Sequence, residues 1–276
     1  MTAPTSPYLS VSIVCYNTPV AELHELVSSL AANLQQLKES VADFAGMIWL
    51  VDNSDLQSLT AEEFASLRDK LGDCEVALEL VQGHGNIGYG AAHNLAINKS
   101  KALYHLILNP DVVLEESCLS NGLTFLDDNT DVAMASPAVL NADGSKQYLC
   151  KRYPSVGLFL ARGFFPAWLQ RPFQKALSSF EMRDLPEDKP SKRIPIISGC
   201  FMLCRREALW QVGGFDERYF LYFEDFDLSL RMGHEGQLAY VPAMRIQHGG
   251  GNSAGKGLAH IRMFARFFSS HGWRLF

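Results

Sequence analysis

Three glycines with a distinctive spacing lie in the first half of the chain. The segment "VQGHGNIGYGAAHN", residues 81–94, contains Gly83, Gly85 and Gly88 as G-x-G-x-x-G, directly after a strand-like run. This spacing is typical of loops that hold the pyrophosphate of a dinucleotide at a helix N-terminus. Such a loop normally follows the first strand of its unit, whereas two strand-helix units precede this one. The motif alone therefore does not favour a dinucleotide-dependent oxidoreductase.

Polar residues at the ends of predicted strands give a better account of the same region. Ligands of open α/β sheets bind at the carboxyl ends of the strands. We group the following residues as a pocket for a nucleoside diphosphate: Tyr16, Asn17, Asp52, Asn53, Asn86, Gly88, Asn94, Asn109 and Asp111. Asp52 can accept from the ring N–H of uracil or thymine, and Asp111 offers a hard oxygen ligand to Mg²⁺ or Mn²⁺. Taken alone, either aspartate has the alternative of a turn residue or a helix cap.

A second acidic group lies in the other half of the chain. Glu224, Asp225 and Asp227 crowd the start of a predicted helix, whose dipole would keep Asp225 ionised. A carboxylate of this kind can take the proton of a hydroxyl that attacks a sugar. The alternative is that these acids only cap the helix and pair with Arg231. On the residues alone we prefer that alternative for Glu224 and Asp227, and the two interpretations are even for Asp225.

The elements that would position these residues alternate in the first half. Strand-like runs begin near residues 8, 47, 75 and 103, and helical patterns cover 20–40, 60–72 and 89–100. This order predicts a parallel sheet with crossover helices. The second half is mixed: a helix over 116–128, a strand over 132–140, a short strand over 146–152, an irregular segment over 152–192, a helix over 223–236 and two short strands that end at His248.

Composition and charge disfavour several classes of protein. A formal net charge of -6 argues against a general nucleic-acid binder, which needs a surplus of Lys and Arg. The six cysteines form no C-x-x-C pair and lie mostly in apolar runs, which predicts reduced thiols and a cytoplasmic location. No stretch approaches the roughly 20 apolar residues of a spanning helix, and the first residues lack the features of an export signal.

The last residues predict an amphipathic helix. Apolar residues at 258, 261, 264, 265 and 268 share a face, and Arg262 and Arg266 lie on another. This helix either packs on the rest of the chain or lies on a membrane surface, since further aromatic residues follow the stripe. The segment 152–175 has the same mixture of aromatic and basic residues. It is either a lid over the donor or a second membrane-facing segment.

Six segments together resemble a known enzyme family. They are "SIVCYN", "VDNSD", "GNIGYGAAHN", "LILNPDVVL", the block from Ser198 to Gly236, and "IQHGGGNS". In this order and spacing they resemble family 2 glycosyltransferases with a GT-A fold, and they are most similar to bacterial rhamnosyltransferases. The resemblance runs from about residue 9 to the end of the sequence, and the Ser198–Gly236 block is its most specific part.

The resemblance implies a fold and a division of the chain. We expect an α/β protein of the GT-A fold, in which a Rossmann-like, nucleotide-binding mixed sheet is flanked by helices and followed by a C-terminal acceptor-side region. Residues 1–276 then form one glycosyltransferase domain. Within it, 9–112 are the nucleotide-sugar-binding half, 113–257 the acceptor and catalytic half, and 258–276 the amphipathic helix.

The same resemblance assigns roles to individual residues. Asp111 corresponds to the last, metal-binding acid of the DxD motif, and Asn109 stands in place of the first acid. Asp225 matches the catalytic base, and His248 matches a histidine that completes the metal site in some relatives. We assign Gly199 and Glu224, which belong to the most specific block, to the acceptor side.

The resulting hypothesis is a metal-dependent, inverting glycosyltransferase. The resemblance implies Mg²⁺ or Mn²⁺ as cofactor, dTDP-L-rhamnose as donor, and a growing bacterial surface glycan as acceptor, such as lipopolysaccharide, O-antigen or another lipid-linked saccharide. The acceptor would be met at the inner face of the cytoplasmic membrane. No residue by itself identifies rhamnose, so a UDP-hexose or UDP-N-acetylhexosamine donor is the first alternative.

Two alternatives come from other classes of protein. A catalytically silent nucleotide-sugar-binding module is disfavoured because Asp111, Asp225 and His248 occur together. An NAD-dependent oxidoreductase is disfavoured because no glycine fingerprint follows the first strand.

Overall fold

A computed structural model describes residues 7–56, 59–141, 143–158, 171–249 and 258–274. Strands and helices alternate in the first half: β1 (Leu9–Cys15), α1 (Val20–Ser40), β2 (Gly46–Asp52), α2 (Ala61–Leu71), β3 (Val76–Val81), α3 (Tyr89–Ile97) and β4 (Tyr104–Leu108). The second half contains β5 (Val112–Leu114), α4 (Cys118–Asp128), β6 (Val132–Leu140), β7 (Lys146–Gln147), β8 (Cys150–Lys151), α5 (Gln174–Phe180), β9 (Ser191–Lys192), β10 (Ile196–Ile197), β11 (Phe201–Arg205), α6 (Arg206–Gln211), α7 (Glu224–Glu235), β12 (Gln237–His248) and α8 (Leu258–His271).

A mixed sheet joins both halves of the chain. Its main path has the order β3-β2-β1-β4-β11-β6-β12-β5, with β7 beside β6 and β9 beside β12. β1 is parallel to β2 and β4, β11 is antiparallel to β4 and β6, and β12 is parallel to β6. The carboxyl ends of β1, β2, β4, β6 and β12 therefore meet at one edge. Helices α1, α2 and α4 pack on one face of the sheet, and α3, α6 and α7 pack on the other.

The structure confirms the predicted mixed sheet flanked by helices, and it corrects two strand predictions. The predicted strand over 146–152 is broken into β7 and β8, which pair with β6 and β10 respectively. The two short strands predicted to end at His248 are one strand, β12, whose register against β6 shifts between Val241 and Arg245. Pro242 lies in that interval and has no N–H to donate, so the ladder is interrupted while the strand continues.

A buried polar network fixes α3 against the middle of the sheet. Ser10 Oγ lies 2.7 Å from His105 Nδ1, and Ser12 Oγ lies 3.0 Å from His105 Nε2 and 2.7 Å from His93 Nδ1. Burial lowers the pKa of both histidines, that of His105 to about 3, so both rings are neutral. The network joins β1, β4 and α3, and it therefore holds the glycine loop that leads into α3.

Helix α8 packs on the rest of the chain, which was one of the two predicted alternatives, but its buried face is shifted from the predicted stripe. Its buried residues are Met263, Phe267 and Phe268, which form a cluster with Tyr219 and Phe223. Within the predicted stripe, Phe268 is buried and Phe264 is partly buried, whereas Ile261 is 51% exposed. Phe267 and Phe268 are buried because Tyr219 and Phe223, in the segment before α7, pack against them. Residues 159–170 and Phe276, on which the membrane-facing interpretation partly depended, lie outside the described residues.

Two further observations concern the whole described chain. All six cysteines are buried with free thiols. Among the helices of the described segments, none combines the length and the apolar character needed to cross a bilayer.

Candidate active site

Asp111 and His248 meet at the carboxyl edge of the sheet because β5 pairs with β12. The antiparallel register places His248 opposite Val112, and the N–H of Gly249 donates to the carbonyl oxygen of Asp111 at 3.0 Å. His248 Nε2 then lies 3.3 Å from Asp111 Oδ1, with both side chains mostly buried. The sequence predicted these two residues in one site, and the structure brings them together.

The facing atoms of this pair have a ligand-like arrangement. Within the described residues, Asp111 Oδ1 and His248 Nε2 are buried without a hydrogen-bond partner. Burial alone would raise the pKa of Asp111, but a protonated His248, the backbone N–H of Asp111 and the side chain of Asn109 together outweigh it, and the pKa is lowered. An anionic oxygen and a ring nitrogen that face one gap fit Mn²⁺ or Mg²⁺. No cluster of three or more His, Cys, Asp or Glu residues that could hold a metal occurs in the described ranges.

Asp225 lies in the first turn of α7 and is held by backbone donors. The N–H of Gly199 donates to Oδ2 at 3.0 Å, and the N–H of Phe226 donates to Oδ1 at 2.9 Å. Burial nevertheless raises the pKa of Asp225. The backbone donors at the helix start lower the pKa of Asp225, but desolvation outweighs them. A raised pKa moves the carboxylate towards the range that a general base needs at neutral pH.

The two neighbouring acids have different surroundings. Asp227 accepts from Arg231 Nε at 2.8 Å and lies 2.7 Å from His271 Nε2, so the structure confirms its predicted pairing with Arg231. Glu224 is 5% exposed, and its Oε2 has no hydrogen-bond partner among the described residues. Burial, followed by the charge of Asp225, raises the pKa of Glu224 well above its usual value. The surroundings of Glu224 thus favour its neutral form, and Arg231 pairs with Asp227 instead.

The segment before α7 has a strained backbone and packs against the glycine loop. Tyr222 and Phe223 have φ values of 72° and 69°, a left-handed conformation that costs about 1–3 kcal/mol at a non-glycine residue. The carbonyl oxygen of Phe220 accepts from the N–H of Tyr89 at 3.0 Å. At Gly88, where φ is 94°, an added Cβ would lie 2.6 Å from that same oxygen. The absence of a side chain at Gly88 therefore allows the backbone of Phe220 to pack against the glycine loop.

Tyr89 connects the two acidic sites, a role that sequence reasoning missed. Its hydroxyl donates to the carbonyl oxygen of Gly199 at 2.7 Å and lies 2.9 Å from Asn109 Oδ1. Asn109 is two residues before Asp111, and Gly199 donates to Asp225. The Tyr89 hydroxyl therefore links the loop that contains Asn109 to the loop that contains Gly199, so a movement of one loop would displace the other. The available signal was the position of Tyr89 inside the glycine segment, but its two partners are distant in sequence.

Asn53 and Asn86 shape the loop between β3 and α3. Asn53 Oδ1 accepts from the N–H of Ile87 at 3.0 Å, and its Nδ2 donates to Asn86 Oδ1 at 3.1 Å. The same Asn86 oxygen accepts from the N–H of Gly88 at 3.1 Å. These predicted donor-site residues are thus adjacent, and their contacts to one another hold the loop in place.

The remaining predicted donor residues fall into two groups. Asp52 is buried at the end of β2 and accepts from the N–H of Ser54 at 3.2 Å. Tyr16 is 48% exposed beside it in the sheet edge, and the N–H of Asn17 donates to Ser54 Oγ at 2.9 Å. Asn94 lies elsewhere. Its amide forms two hydrogen bonds of 2.9 Å with the backbone of Phe215, so its contact with a donor stays a prediction.

Comparison with known proteins adds relatives to this geometry. The sequence model of the family described as Glycosyl transferase family 2 matches residues 10–213. N-acetylglucosaminyl-diphospho-decaprenol L-rhamnosyltransferase of Mycobacterium tuberculosis (strain ATCC 25618 / H37Rv) is 30% identical over 194 residues, which are 65% of this chain and 61% of that protein. Rhamnosyltransferase WbbL of Escherichia coli (strain K12) is 27% identical over 182 residues, or 62% of this chain and 64% of that protein. The chain thus spans less than two thirds of the length of each of these relatives.

A solved structure supports the fold. GalNAc-T7 with UDP, GalNAc and Mn²⁺ matches with a TM-score of 0.63 at 17% sequence identity, over 95% of this chain and 48% of that chain. This similarity confirms the predicted GT-A fold. The family match and the two rhamnosyltransferase relatives likewise confirm the resemblance seen in the sequence. The chain belongs to glycosyl transferase family 2.

Proposed function

We propose that the chain is a metal-dependent, inverting rhamnosyltransferase that uses dTDP-L-rhamnose and extends a lipid-linked bacterial surface glycan. The observation that carries the proposal is the pair of acidic sites, Asp111 with His248 and Asp225 with Gly199, joined through Tyr89. The names of the two bacterial relatives support rhamnose as the transferred sugar. The name of the mycobacterial relative supports an acceptor with a polyprenyl diphosphate.

The donor end of the reaction is assigned to the carboxyl edge of the sheet. Asp111 and His248 would hold Mg²⁺ or Mn²⁺, which when bound offsets the negative charge of the leaving diphosphate. Asp52 would accept from the ring N–H of thymine at the end of β2. Asn53 and Asn86 would keep the glycine loop at a fixed distance from the nucleotide, because their amides bind its backbone.

The acceptor end is assigned to the start of α7. The acceptor hydroxyl oxygen attacks the anomeric carbon as the bond to the diphosphate oxygen breaks, and its proton passes to the carboxylate of Asp225. Attack from the side opposite the leaving group inverts the anomeric configuration. The N–H groups of Gly199 and Phe226 orient this carboxylate, and the charge of nearby Lys151 favours its ionised form.

A donor panel tests the proposal. Protein and Mn²⁺ are incubated with dTDP-L-rhamnose, UDP-glucose or UDP-N-acetylglucosamine, and nucleotide release and the thermal midpoint are measured. We expect dTDP-L-rhamnose to give the largest shift and the fastest release. Preference for a UDP-sugar would replace the donor with the hexose alternative, and a shift without release in the presence of acceptor would indicate a silent binding module. Full turnover in excess chelator would refute the metal requirement.

We further propose that an apolar surface beside the crevice contacts the inner face of the cytoplasmic membrane, where a lipid-linked acceptor is found. Four exposed side chains surround the cluster formed by α8 and the segment before α7: Phe220 at 48%, Leu221 at 42%, Ile261 at 51% and Trp273 at 54% exposure. Arg262 and Arg274 directly follow Ile261 and Trp273 in the sequence. Apolar side chains beside arginines are suited to the headgroup region of a membrane.

Vesicle co-sedimentation tests whether this surface binds a membrane or is only exposed to solvent. The variant Ile261→Ser/Trp273→Ser should bind anionic vesicles less than wild type at low salt while still hydrolysing donor. Leu103→Ser is the matched control, because Leu103 is 62% exposed next to the amino end of β4, at the other edge of the sheet. Equal binding by wild type and the double variant would refute the membrane role of this surface.

A further inference from the structure

Gln147 contacts His248 at two points. Gln147 Oε1 lies 2.9 Å from His248 Nδ1, and Gln147 Nε2 donates to the carbonyl oxygen of His248 at 3.1 Å. Nε2 also donates to Asn141 Oδ1. The backbone carbonyl oxygen of His248 can only accept, so an amide oxygen in place of Nε2 would face it without a hydrogen bond. The amide orientation is thereby fixed, and Oε1 faces the imidazole ring.

This orientation determines which ring nitrogen carries the proton. An amide oxygen only accepts, so His248 Nδ1 must be the donor in their hydrogen bond. A neutral imidazole has one N–H, and Nε2 is then left with its lone pair. That lone pair points towards Asp111 Oδ1, 3.3 Å away, and within the described residues neither atom has a hydrogen-bond partner. Two acceptors therefore face one gap, an arrangement that a cation between them would stabilise.

We propose that Gln147 is a positioning residue, which holds His248 in the tautomer protonated at Nδ1 so that Nε2 can bind a divalent cation together with Asp111. The cation rests on the proposed function, whereas the tautomer follows from the hydrogen bonds alone. Partners of this kind fix the ring and raise the basicity of the ligating nitrogen. Without Gln147 the ring can adopt the other tautomer, in which Nε2–H donates to Asp111 and occupies the gap.

Nuclear magnetic resonance of the metal-free protein tests the tautomer. Histidine labelled with ¹⁵N is observed at about pH 8.5, above the ordinary titration range of histidine, and the His248 signals are assigned with His248→Gln. We expect Nδ1–H in wild type and Nε2–H in Gln147→Leu. Gln147→Glu, which keeps an acceptor oxygen for Nδ1–H, should retain the wild-type tautomer. Nε2–H in the wild-type protein would overturn the inference.

Binding of Mn²⁺, followed by the electron paramagnetic resonance of the free ion in the presence of dTDP, tests the consequence. Gln147→Leu should weaken Mn²⁺ binding by about 10- to 100-fold, the usual effect of losing such a partner. Gln147→Glu should retain it, and so should Asn141→Ala, which removes a partner of Nε2 but leaves the ring contact. Circular dichroism verifies that each variant is folded.

The outcomes distinguish this inference from the proposed function. Equal Mn²⁺ affinity in wild type and Gln147→Leu would overturn the positioning role while leaving metal dependence in place. A wild-type protein that shows the Nδ1–H tautomer but binds no Mn²⁺ would overturn the proposed metal dependence, and with it the purpose assigned to Gln147.

Discussion

Asp111 and Asp225 are aspartates of one predicted crevice, yet their surroundings move their pKa values in opposite directions. A protonated His248, a backbone N–H and Asn109 together outweigh burial and lower the pKa of Asp111, whereas burial outweighs the backbone donors and raises that of Asp225. The first is suited to remain an anionic ligand, and the second to exchange a proton near neutral pH. The difference lies in the neighbours, since the side chains are the same.

The second neighbour of each aspartate makes the contrast sharper. Asp111 faces a ring nitrogen that can share a cation, while Asp225 adjoins Glu224, another acid, in a buried place. Two buried acids that lie close together cannot both ionise easily, and burial together with the charge of Asp225 raises the pKa of Glu224 well above its usual value. Tyr89 joins the two sites through Asn109 and Gly199.

The largest effect on the rate of transfer is expected when the carboxylate of Asp225, at the acceptor end of the site, is removed. Asp225→Asn keeps the shape but removes the proton acceptor, so transfer should fall by about 10²- to 10⁴-fold while donor affinity, measured by calorimetry, is retained. In the wild type, activity should rise with pH as Asp225 loses its proton, with the acidic limb above the ordinary aspartate pKa of about 3.9. Donor affinity that falls in step with turnover would place Asp225 at the donor end.

Breaking the donor side should give a different pattern. Asp111→Ala removes an anionic ligand, so donor affinity in Mn²⁺ should weaken by at least about tenfold, and His248→Ala should weaken it more mildly. Without divalent ion the variants and the wild type should bind donor alike. Asp128→Ala, which removes an exposed acid on α4, controls for the change in net charge. An effect of Asp111→Ala that is equal with and without Mn²⁺ would contradict the metal role.

The link between the two sides is tested by removing one hydroxyl. Tyr89→Phe loses a buried hydrogen bond worth about 1 kcal/mol, so kcat should fall roughly fivefold with little change in donor affinity. Thermal melts measure any loss of stability separately. Unchanged kcat at unchanged stability would show that the two loops hold their positions without this contact.

The smallest effect on activity is expected at Glu224. Glu224→Gln mimics the neutral acid, so both the rate and the acidic limb should be retained. The pKa of Glu224 in the folded protein lies above its unfolded value of about 4.3. The free energy of unfolding of the wild type should therefore fall as the pH rises from the unfolded pKa to the folded pKa. The variant should therefore melt higher at pH 8 and nearly alike at pH 4. A shift of the acidic limb to lower pH would show that Glu224 is charged while Asp225 works.

Hydrophobic periodicity and the polar residues at strand ends predicted most of the strands and helices of the first half of the chain. The first seven elements were predicted within a few residues because alternating strands and helices have strong local patterns. The proximity of Asp111 and His248 was anticipated from the family resemblance, and the pairing of β5 with β12 accounts for it. Gln147 could not be predicted, because its contact with His248 depends on the pairing of β6 with β12, which is distant in sequence.

Two other differences have the same physical origin. The buried face of α8 includes Phe268 of the predicted stripe but is shifted towards Met263 and Phe267, because a partner surface before α7 selects the face and several faces of that helix carry apolar residues. Asn94 makes a contact that the sequence did not predict, since its amide binds the backbone of Phe215, while its assignment to the donor stays a prediction. In each case a long-range contact decided the outcome, and local sequence contains little information about such contacts.

Pairing between β5 and β12 also decides when the metal-binding pair forms. β12 is the last strand of the sheet in chain order, and it pairs with β5 across most of the second half of the chain. Contacts between distant segments form late in folding because a long loop must close first. Strands β1 to β4 can therefore fold while His248 is still apart from Asp111. During refolding, hydrogen-exchange protection of β1 should precede the uptake of Mn²⁺; simultaneous appearance of the two signals would contradict this order.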